Sequence, residues 1–163
     1  QLTYVGAPMI FYGDEGGMWG GANPDNIKPM LWKEFVYERE TYHTIRPQWN
    51  DEIRNVFDPT LFRLYGKLNK IRHENPAIQK GDFAPTILDN QKSIYAYARK
   101  FENNEVVVFL NMSEKKQIIE YPTQWKNGSK VKELLNEKKY KIENGTIKLE
   151  LDKKSGAILV EEK

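Results

Sequence analysis

Two runs of sequence decide the fold of this protein, Ser93-Ile-Tyr-Ala-Tyr-Ala98 and Glu105-Val-Val-Val-Phe-Leu110. Both are interpreted as strands of period two, in which successive side chains point to opposite faces of a sheet. Three more runs of this kind follow, at residues 117–121, 146–151 and 157–160. Several short strands at such spacing predict an antiparallel β-sandwich or barrel.

Two Asn-Gly pairs lie between these runs. Asn127-Gly128 and Asn144-Gly145 are typical of hairpin turns, since both central residues of such a turn need a positive φ. The second half of the chain, residues 77–163, is therefore predicted to be an all-β antiparallel domain.

The first half, residues 1–76, has a different pattern. Residues 7–12 form a short apolar run that ends in glycines, as expected of a strand buried on both faces. Residues 16–58 have no clear periodicity, and loops of this length usually carry function. Asp58-Pro59 then predicts the start of a helix that ends before Pro76.

Composition excludes several classes of protein. A formal net charge of +2 gives no basic surface for nucleic acid or an anionic membrane. The 163 residues contain no cysteine, so disulfides, thiol catalysis and Cys-based zinc sites are excluded. No signal peptide or membrane span is recognisable, and we expect the natural polypeptide to begin before Gln1, so the compartment stays open.

Six pieces of the sequence are distinctive in combination. They are Gly6-Ala-Pro-Met-Ile-Phe-Tyr-Gly-Asp-Glu15, Gly17-Met-Trp-Gly-Gly21, Asn23-Pro-Asp25, Lys28-Pro-Met-Leu-Trp32, Leu68–Ile78 and Gly81-Asp-Phe83. Together they resemble the end of the catalytic barrel and the entry to the C-terminal β-domain in the α-amylase family, of the neopullulanase and cyclomaltodextrinase type. The resemblance spans nearly the whole chain.

The resemblance implies an α+β fold. Residues 1–5 would be the tail of the seventh helix of a (β/α)8 barrel, residues 7–12 its eighth strand and residues 16–58 the loop at the active-site face. The last helix and a C-terminal β-sandwich would follow. The parent would be a retaining hydrolase of starch, pullulan or maltodextrins, with its catalytic carboxylates upstream of Gln1, and this fragment alone would be inactive.

Asp14 and Glu15 are the tempting carboxylates in this chain. Because adjacent residues leaving a strand point to opposite faces, they are poorly placed to converge on one glycosidic bond. We therefore expect them to organise the loop and the strand end.

The candidate substrate contacts are Asn23, Asp25, Lys28 and Trp19. The family pattern Asp-Pro-x-x-Arg has Asn23 and Ile27 here, so the subsite that pattern forms is expected to be altered. Trp19 and Trp49 offer faces that suit a pyranose ring, with packing inside the loop as the alternative. Trp32 and Tyr12 are expected in the core. No metal site is predicted from His43 or His73, and no cofactor, although the parent could hold calcium.

Two alternatives to a hydrolase fragment stay open: a β-domain that binds carbohydrate or is purely structural, with Trp125 as its aromatic, and a fragment of a catalytically degenerate homologue. The expected partners are an α-glucan and the rest of the catalytic barrel, with neither nucleic acid nor a membrane. Residues 7–12, deprived of strand neighbours, could also pair with another copy.

Overall fold

The computed structural model describes residues 1–20, 26–38 and 56–162, together with the backbone of residues 40, 41, 52 and 53. The chain forms two compact units. The smaller unit comprises residues 8–67, and the larger comprises residues 1–7 and 68–163. This division differs from the sequence-based boundary at residue 76, which stays a prediction.

The smaller unit contains little regular structure. A 3-10 turn at Asp14–Gly16 is followed by β1 (Glu40–Thr41), which pairs antiparallel with β2 (Glu52–Ile53), and by the start of helix α1 (Pro59–Glu74). The helix begins where the sequence predicts, because the Oδ1 of Asp58 accepts hydrogen bonds from the backbone N–H groups of residues 60 and 61 at 2.8 and 3.0 Å.

The predicted barrel strand at residues 7–12 is not formed. This run has no ladder partner among the described residues, and Met9 is 78% exposed and Phe11 51%. A strand that is buried on both faces needs a hydrogen-bonded neighbour on each side, and neither neighbour is present for this run within the described part of the chain. The barrel end of the predicted fold class is therefore not shown.

The larger unit is antiparallel, as predicted for its β part. The last turns of α1 lead into α2 (Pro76–Lys80), and eight strands follow. They are β3 (Asp82–Asp89), β4 (Ile94–Phe101), β5 (Asn104–Asn111), β6 (Gln117–Pro122), β7 (Lys130–Glu133), β8 (Lys139–Lys141), β9 (Thr146–Leu151) and β10 (Ser155–Glu161). Their order is β3-β4-β5-β10-β7-β8 in one sheet and β6-β9 in a second.

Three of these strands are not predicted by period-two patterns. β3 lies at the edge of the six-stranded sheet, where Pro85 and a register shift between Pro85 and Ile87 are tolerated. β7 and β8 are three or four residues long, which is too short for a periodic signal. Within the described residues, neither helix is both long and apolar enough to cross a membrane.

Strand β5 has buried residues on both faces. This corrects the interpretation of its sequence as a strand in which buried and exposed residues alternate. Val107 and Phe109 pack between the two sheets, while Val106 and Val108 pack on the opposite face. Its neighbours in the sheet are β4 and β10. A continuous apolar run is what such a strand requires, since neither of its faces meets water.

Two apolar clusters result from this arrangement. The cluster between the sheets adds side chains of β6 and β9 to those of β4, β5 and β10. On the other face, Ile71, Ala77 and Ile78 of the two helices cover Val106, Val108 and Ile158. The larger unit thus has three layers, with the six-stranded sheet in the middle.

Residues 1–5 do not form the helical tail that the resemblance implies. They adopt turns and bends, in which the N–H of Tyr4 donates to the carbonyl of Gln1 at 3.3 Å and other carbonyl groups accept from arginines. Arg72 donates to the carbonyls of residues 2, 4 and 6 at 3.0, 3.3 and 2.7 Å. The Thr3 and Tyr97 hydroxyls are 2.7 Å apart in the interior, and the Tyr4 ring packs edge-on against Phe83 and Tyr97.

Arg99 is the most unusual buried group of this unit. It is 1% exposed and donates to the carbonyls of Gly81, Asp82 and Thr3 at 2.8, 3.2 and 3.4 Å. Burial lowers the pKa of Arg99, and the nearby Arg72 lowers it further. Three carbonyl dipoles thus solvate this cation where water cannot reach it.

We predict that Phe109→Ala lowers the free energy of unfolding by about 3–5 kcal/mol, because it empties a fully buried site and removes the edge-to-face contact with Tyr121. Urea denaturation followed by circular dichroism measures this change. Leu88→Ala is the control, since Leu88 is 73% exposed and its truncation should cost less than about 0.5 kcal/mol. Equal losses in the two variants would contradict the burial of Phe109 between the two sheets.

We also predict a loss of stability at alkaline pH that depends on Tyr97. Burial raises the pKa of Tyr97, with a smaller opposing effect from its hydrogen bond to Thr3. The resulting stabilisation is fully present below the ordinary tyrosine pKa of 10.0 and is lost as pH rises through the raised pKa, because the unfolded state ionises first.

Denaturation midpoints measured from pH 8 to about 11 test this, a range that brackets the ordinary tyrosine pKa. Tyr97→Phe should reduce the alkaline loss. Thr3→Val removes the same hydrogen bond but keeps the phenol, so its alkaline loss should be at least as large as in the unchanged protein. If Tyr97→Phe left the pH profile unaltered, the assignment to Tyr97 would be wrong.

Candidate functional site

The residues that follow the 7–12 run form a tight turn built on glycine. Gly13 has φ +93°, and its carbonyl accepts a hydrogen bond from the N–H of Met18 at 2.9 Å. A Cβ on Gly13 would lie 2.9 Å from the Cβ of Met18. Only glycine therefore suits this position, both for its left-handed backbone and for the space that Met18 occupies.

Glu15 and Asp14 lie inside this turn. The Oε2 of Glu15 accepts the backbone N–H of Gly13 at 2.9 Å, and the backbone carbonyl of Asp14 accepts the N–H of Gly17 at 3.2 Å. Asp14 is exposed and Glu15 is half-buried. The Glu15 carboxylate thus has a backbone partner in the turn. The assignment of both carboxylates as organisers of the loop stays a prediction.

Two hydrogen bonds join this turn and the adjacent Tyr12 to other parts of the smaller unit. The N–H of Asp58 donates to the carbonyl of Gly16 at 2.9 Å, and the Tyr12 hydroxyl donates to the carbonyl of Lys28 at 2.8 Å. The start of α1 and residue 28 are therefore both held beside the turn.

Two of the predicted substrate contacts are brought together. The Nζ of Lys28 lies 4.2 Å from the centroid of the Trp19 ring, which is a cation–π distance, and both side chains are half-buried. The ammonium group thus covers a ring face that the sequence suggests for a sugar. Lys28 adds a hydrogen-bond donor for a hydroxyl at the same place.

The other two predicted substrate contacts are not described by the structure. Asn23 and Asp25 lie outside the described residues, as do His43 and Trp49. Ile27, which occupies the arginine position of the family pattern, is 65% exposed. The described part of the site is therefore the Gly13 turn with Trp19 and Lys28.

The core positions expected for Tyr12 and Trp32 are wrong. Tyr12 is 41% exposed and Trp32 is 55% exposed. The Tyr12 ring stacks at a tilt on Phe11, which is itself at the surface. The burial of these side chains was expected from a strand at residues 7–12 inside a sheet. Because that strand is not formed, the side chains are exposed.

No three Asp, Glu or His side chains of the described residues lie close enough together to hold a metal ion. Trp125, the aromatic of the alternative hypothesis, is 8% exposed, and its indole N–H donates to the Glu105 carboxylate at 2.9 Å. A ring with this burial lacks the open face that stacking on a sugar requires.

Sequence reasoning missed Arg72 and Arg99, which bind the first seven residues. A signal for Arg99 exists in the sequence. Arg99 lies on the same face of β4 as Tyr95 and Tyr97, because side chains two residues apart share a face. A charged residue therefore occupies a position where a buried apolar residue is expected. Arg72 lies in an ordinary helix terminus and carries no such signal.

Residues 81–159 match the family model described as the alpha-amylase C-terminal domain. The chain is 30% identical over 159 residues to neopullulanase 2 of Thermoactinomyces vulgaris, which covers 98% of this chain and 24% of that protein. A maltogenic alpha-amylase of Bacillus acidopullulyticus is 29% identical, over 88% of this chain and 21% of its own length.

Solved structures agree in fold. A cyclomaltodextrinase superposes with a TM-score of 0.79 and 22% identity, over 99% of this chain and 24% of that one. The alpha-amylase of Geobacillus thermoleovorans gives a TM-score of 0.78 with 20% identity, over 99% of this chain and 31% of that one. The chain thus spans about a quarter of the length of these relatives.

We predict that Gly13→Ala displaces Met18 and disorders the turn, because alanine has neither the backbone freedom nor the space. The Met18 methyl resonance should move in a carbon-13 NMR spectrum. Gly128→Ala is the matched control: its φ is +84°, but no atom lies within 4 Å of the added Cβ, so it should cost only about 1 kcal/mol of backbone strain. An unmoved Met18 signal in Gly13→Ala would contradict the turn.

Proposed function

We propose, from the match of residues 81–159 to the alpha-amylase C-terminal domain, that the chain is the C-terminal part of a retaining hydrolase of α-glucans such as starch, pullulan or maltodextrins. In this proposal residues 77–163 form the β-domain, and residues 1–76 complete the end of the catalytic barrel and its active-site loop. The carrying observation is the likeness to neopullulanase 2, which extends over 98% of the chain and so includes the loop as well as the β-domain.

Exposed apolar surface in the smaller unit supports this proposal. Ten large apolar side chains of its described residues are exposed: Met9, Phe11, Tyr12, Ile27, Trp32, Phe35, Val36, Val56, Phe62 and Leu64. Exposed apolar side chains that form a contiguous patch mark an interaction site. The occupant we propose is the remaining part of the barrel, because the relatives are about four times longer than this chain. Self-association through residues 7–12 is the competing occupant.

The loop supplies the substrate contacts in this proposal. Lys28 donates to a sugar hydroxyl, and Trp19 contacts the apolar face of a glucose ring once Lys28 moves from it. Asn23 and Asp25 add polar partners from the same loop. The nucleophile and the acid carboxylate come from the rest of the polypeptide, since retaining hydrolysis needs two carboxyl groups about 5–5.5 Å apart across the scissile bond.

Two other functions are weaker. A β-domain that binds carbohydrate by stacking on Trp125 is disfavoured by the burial of that ring. A catalytically degenerate parent is favoured only by Asn23 and Ile27, which replace the charged residues of the family pattern.

We predict that the 163-residue chain releases no reducing sugar from maltoheptaose or pullulan, whereas the complete polypeptide hydrolyses at least one of them. The physical reason is that the two catalytic carboxylates lie outside this chain in the proposed arrangement. A reducing-sugar assay of both proteins at equal molar concentration measures the difference.

Turnover by the chain alone would refute the proposed division of labour. An inactive complete polypeptide that still binds maltoheptaose would instead point to the degenerate parent. A control on folding is the circular dichroism spectrum of the chain, which should retain the signal of an antiparallel β-domain.

A further inference from the structure

Residues 1–7 contact a part of the chain that lies far from them in the sequence. They form one compact unit with residues 68–163, although residues 8–67 lie between the two stretches. Leu2 is 4% exposed and Thr3 is 8% exposed, so the segment is seated within this unit and does not lie loosely on its surface. Residues 68–163 therefore provide a site that this segment occupies.

The first part of this site is an arginine near the end of α1. Arg72 donates to the carbonyl groups of residues 2, 4 and 6, with its Nη1 at 3.0 and 3.3 Å and its Nη2 at 2.7 Å. Three alternate carbonyl groups of the segment thus face one guanidinium. Since every residue has a backbone carbonyl, these bonds hold the segment regardless of its side chains.

The second part of the site is Arg99, whose guanidinium is oriented by the β-domain itself. Its Nη2 donates to the carbonyl of Gly81 at 2.8 Å, and its Nε donates to the carbonyl of Asp82 at 3.2 Å. Its Nη1 donates to the carbonyl of Thr3 at 3.4 Å. The first two bonds do not depend on the segment, so the donor to Thr3 is already in place. A preorganised group binds more tightly, because less freedom is lost on binding.

Side-chain contacts make the site selective. The Thr3 and Tyr97 hydroxyls are 2.7 Å apart, and the ring centroids of Tyr4 and Phe83 are 4.8 Å apart in an edge-on arrangement. Gly6 has φ +91°, a left-handed backbone conformation that suits glycine. The site therefore favours a hydroxyl, an aromatic ring and a glycine at positions 3, 4 and 6 of the segment.

We propose that residues 68–163 carry a peptide-binding site whose occupant is residues 1–7, and that this binding does not need the covalent connection through residues 8–67. Arg72 and Arg99 bind the backbone of the segment, and Tyr97 and Phe83 select its side chains. The proposal goes beyond α-glucan hydrolysis and does not rest on it. Its consequence is that residues 1–7 stay attached when the chain is cut directly after them.

The test uses the 163-residue chain with a recognition sequence for a site-specific protease inserted between Ala7 and Pro8. Ala7 is exposed, so the protease has access to this position. The protein folds before it is cut, and ultrafiltration with mass spectrometry then measures the released peptide over a range of protein concentrations. The peptide should stay bound with a dissociation constant below about 100 µM, as expected for a flexible segment that is ordered on binding.

Arg72→Ala should weaken binding of the cut peptide by at least about tenfold, because it removes three hydrogen bonds from a charged donor. Arg99→Lys should weaken it several-fold, since an ammonium group does not reproduce the planar fork of a guanidinium. Arg63→Ala is the matched control on α1: Arg63 donates to the Thr60 hydroxyl at 3.3 Å, so its removal should leave the dissociation constant unchanged. Circular dichroism of the uncut variants checks their folding.

Substitutions within the segment leave residues 68–163 unchanged, so they test the site even where an arginine variant fails to fold. Thr3→Val should weaken binding because it removes the hydrogen bond with Tyr97. Gly6→Ala should weaken it by roughly fivefold through backbone strain, since no atom lies within 4 Å of the added Cβ. Val5→Ala is the control within the segment: Val5 is 51% exposed, so this peptide should bind as the unchanged one does.

Three results would overturn the proposal. Complete release of the unchanged peptide at about 1 mM protein, well above the expected dissociation constant, would rule out the binding site. Equal retention in Arg72→Ala and Arg63→Ala would rule out recognition of the backbone by Arg72. Equal binding of the Thr3→Val, Gly6→Ala and Val5→Ala peptides would rule out the selectivity of the site.

Discussion

The structure of the larger unit depends on strand β5, whose central residues are buried on both faces of the sheet. Strand β5 has Val107 and Phe109 on one face and Val106 and Val108 on the other, all of them buried. A strand of this kind must be covered twice. The two-stranded sheet β6-β9 covers one side, and the helices α1 and α2 cover the other. The three-layer arrangement of this β-domain follows from that requirement.

Helix α1 also positions an arginine that binds the first seven residues. Because α1 packs on the outer face of the sheet through Ile71, the adjacent Arg72 is held where it can donate to three carbonyl groups of this segment. Arg99, buried in β4, adds a fourth contact through Thr3. Two cations thus supply donors to carbonyl groups that no helix or sheet satisfies in this segment.

The two parts of the chain differ in the apolar surface that they expose, and this difference supports the proposed function. Residues 8–67 expose large apolar side chains, as a segment does when its packing partner lies in another part of the protein. The relatives are about four times longer than this chain, so in the proposed function the additional sequence provides that partner. The β-domain packs most of its apolar side chains into its two clusters. An apolar surface suits assembly with another part of a protein.

The sequence alone determined the antiparallel β-domain and the start of α1, since strand periodicity and the Asp58 cap act through neighbouring residues. It also placed Trp19 and Lys28 in one loop. Tertiary structure decided what no local pattern encodes: the double burial of β5, the edge position of β3 and the contact of Lys28 with the Trp19 ring. The run at residues 7–12 is the clearest case, because its apolar sequence specifies a strand only where neighbouring strands complete its hydrogen bonds.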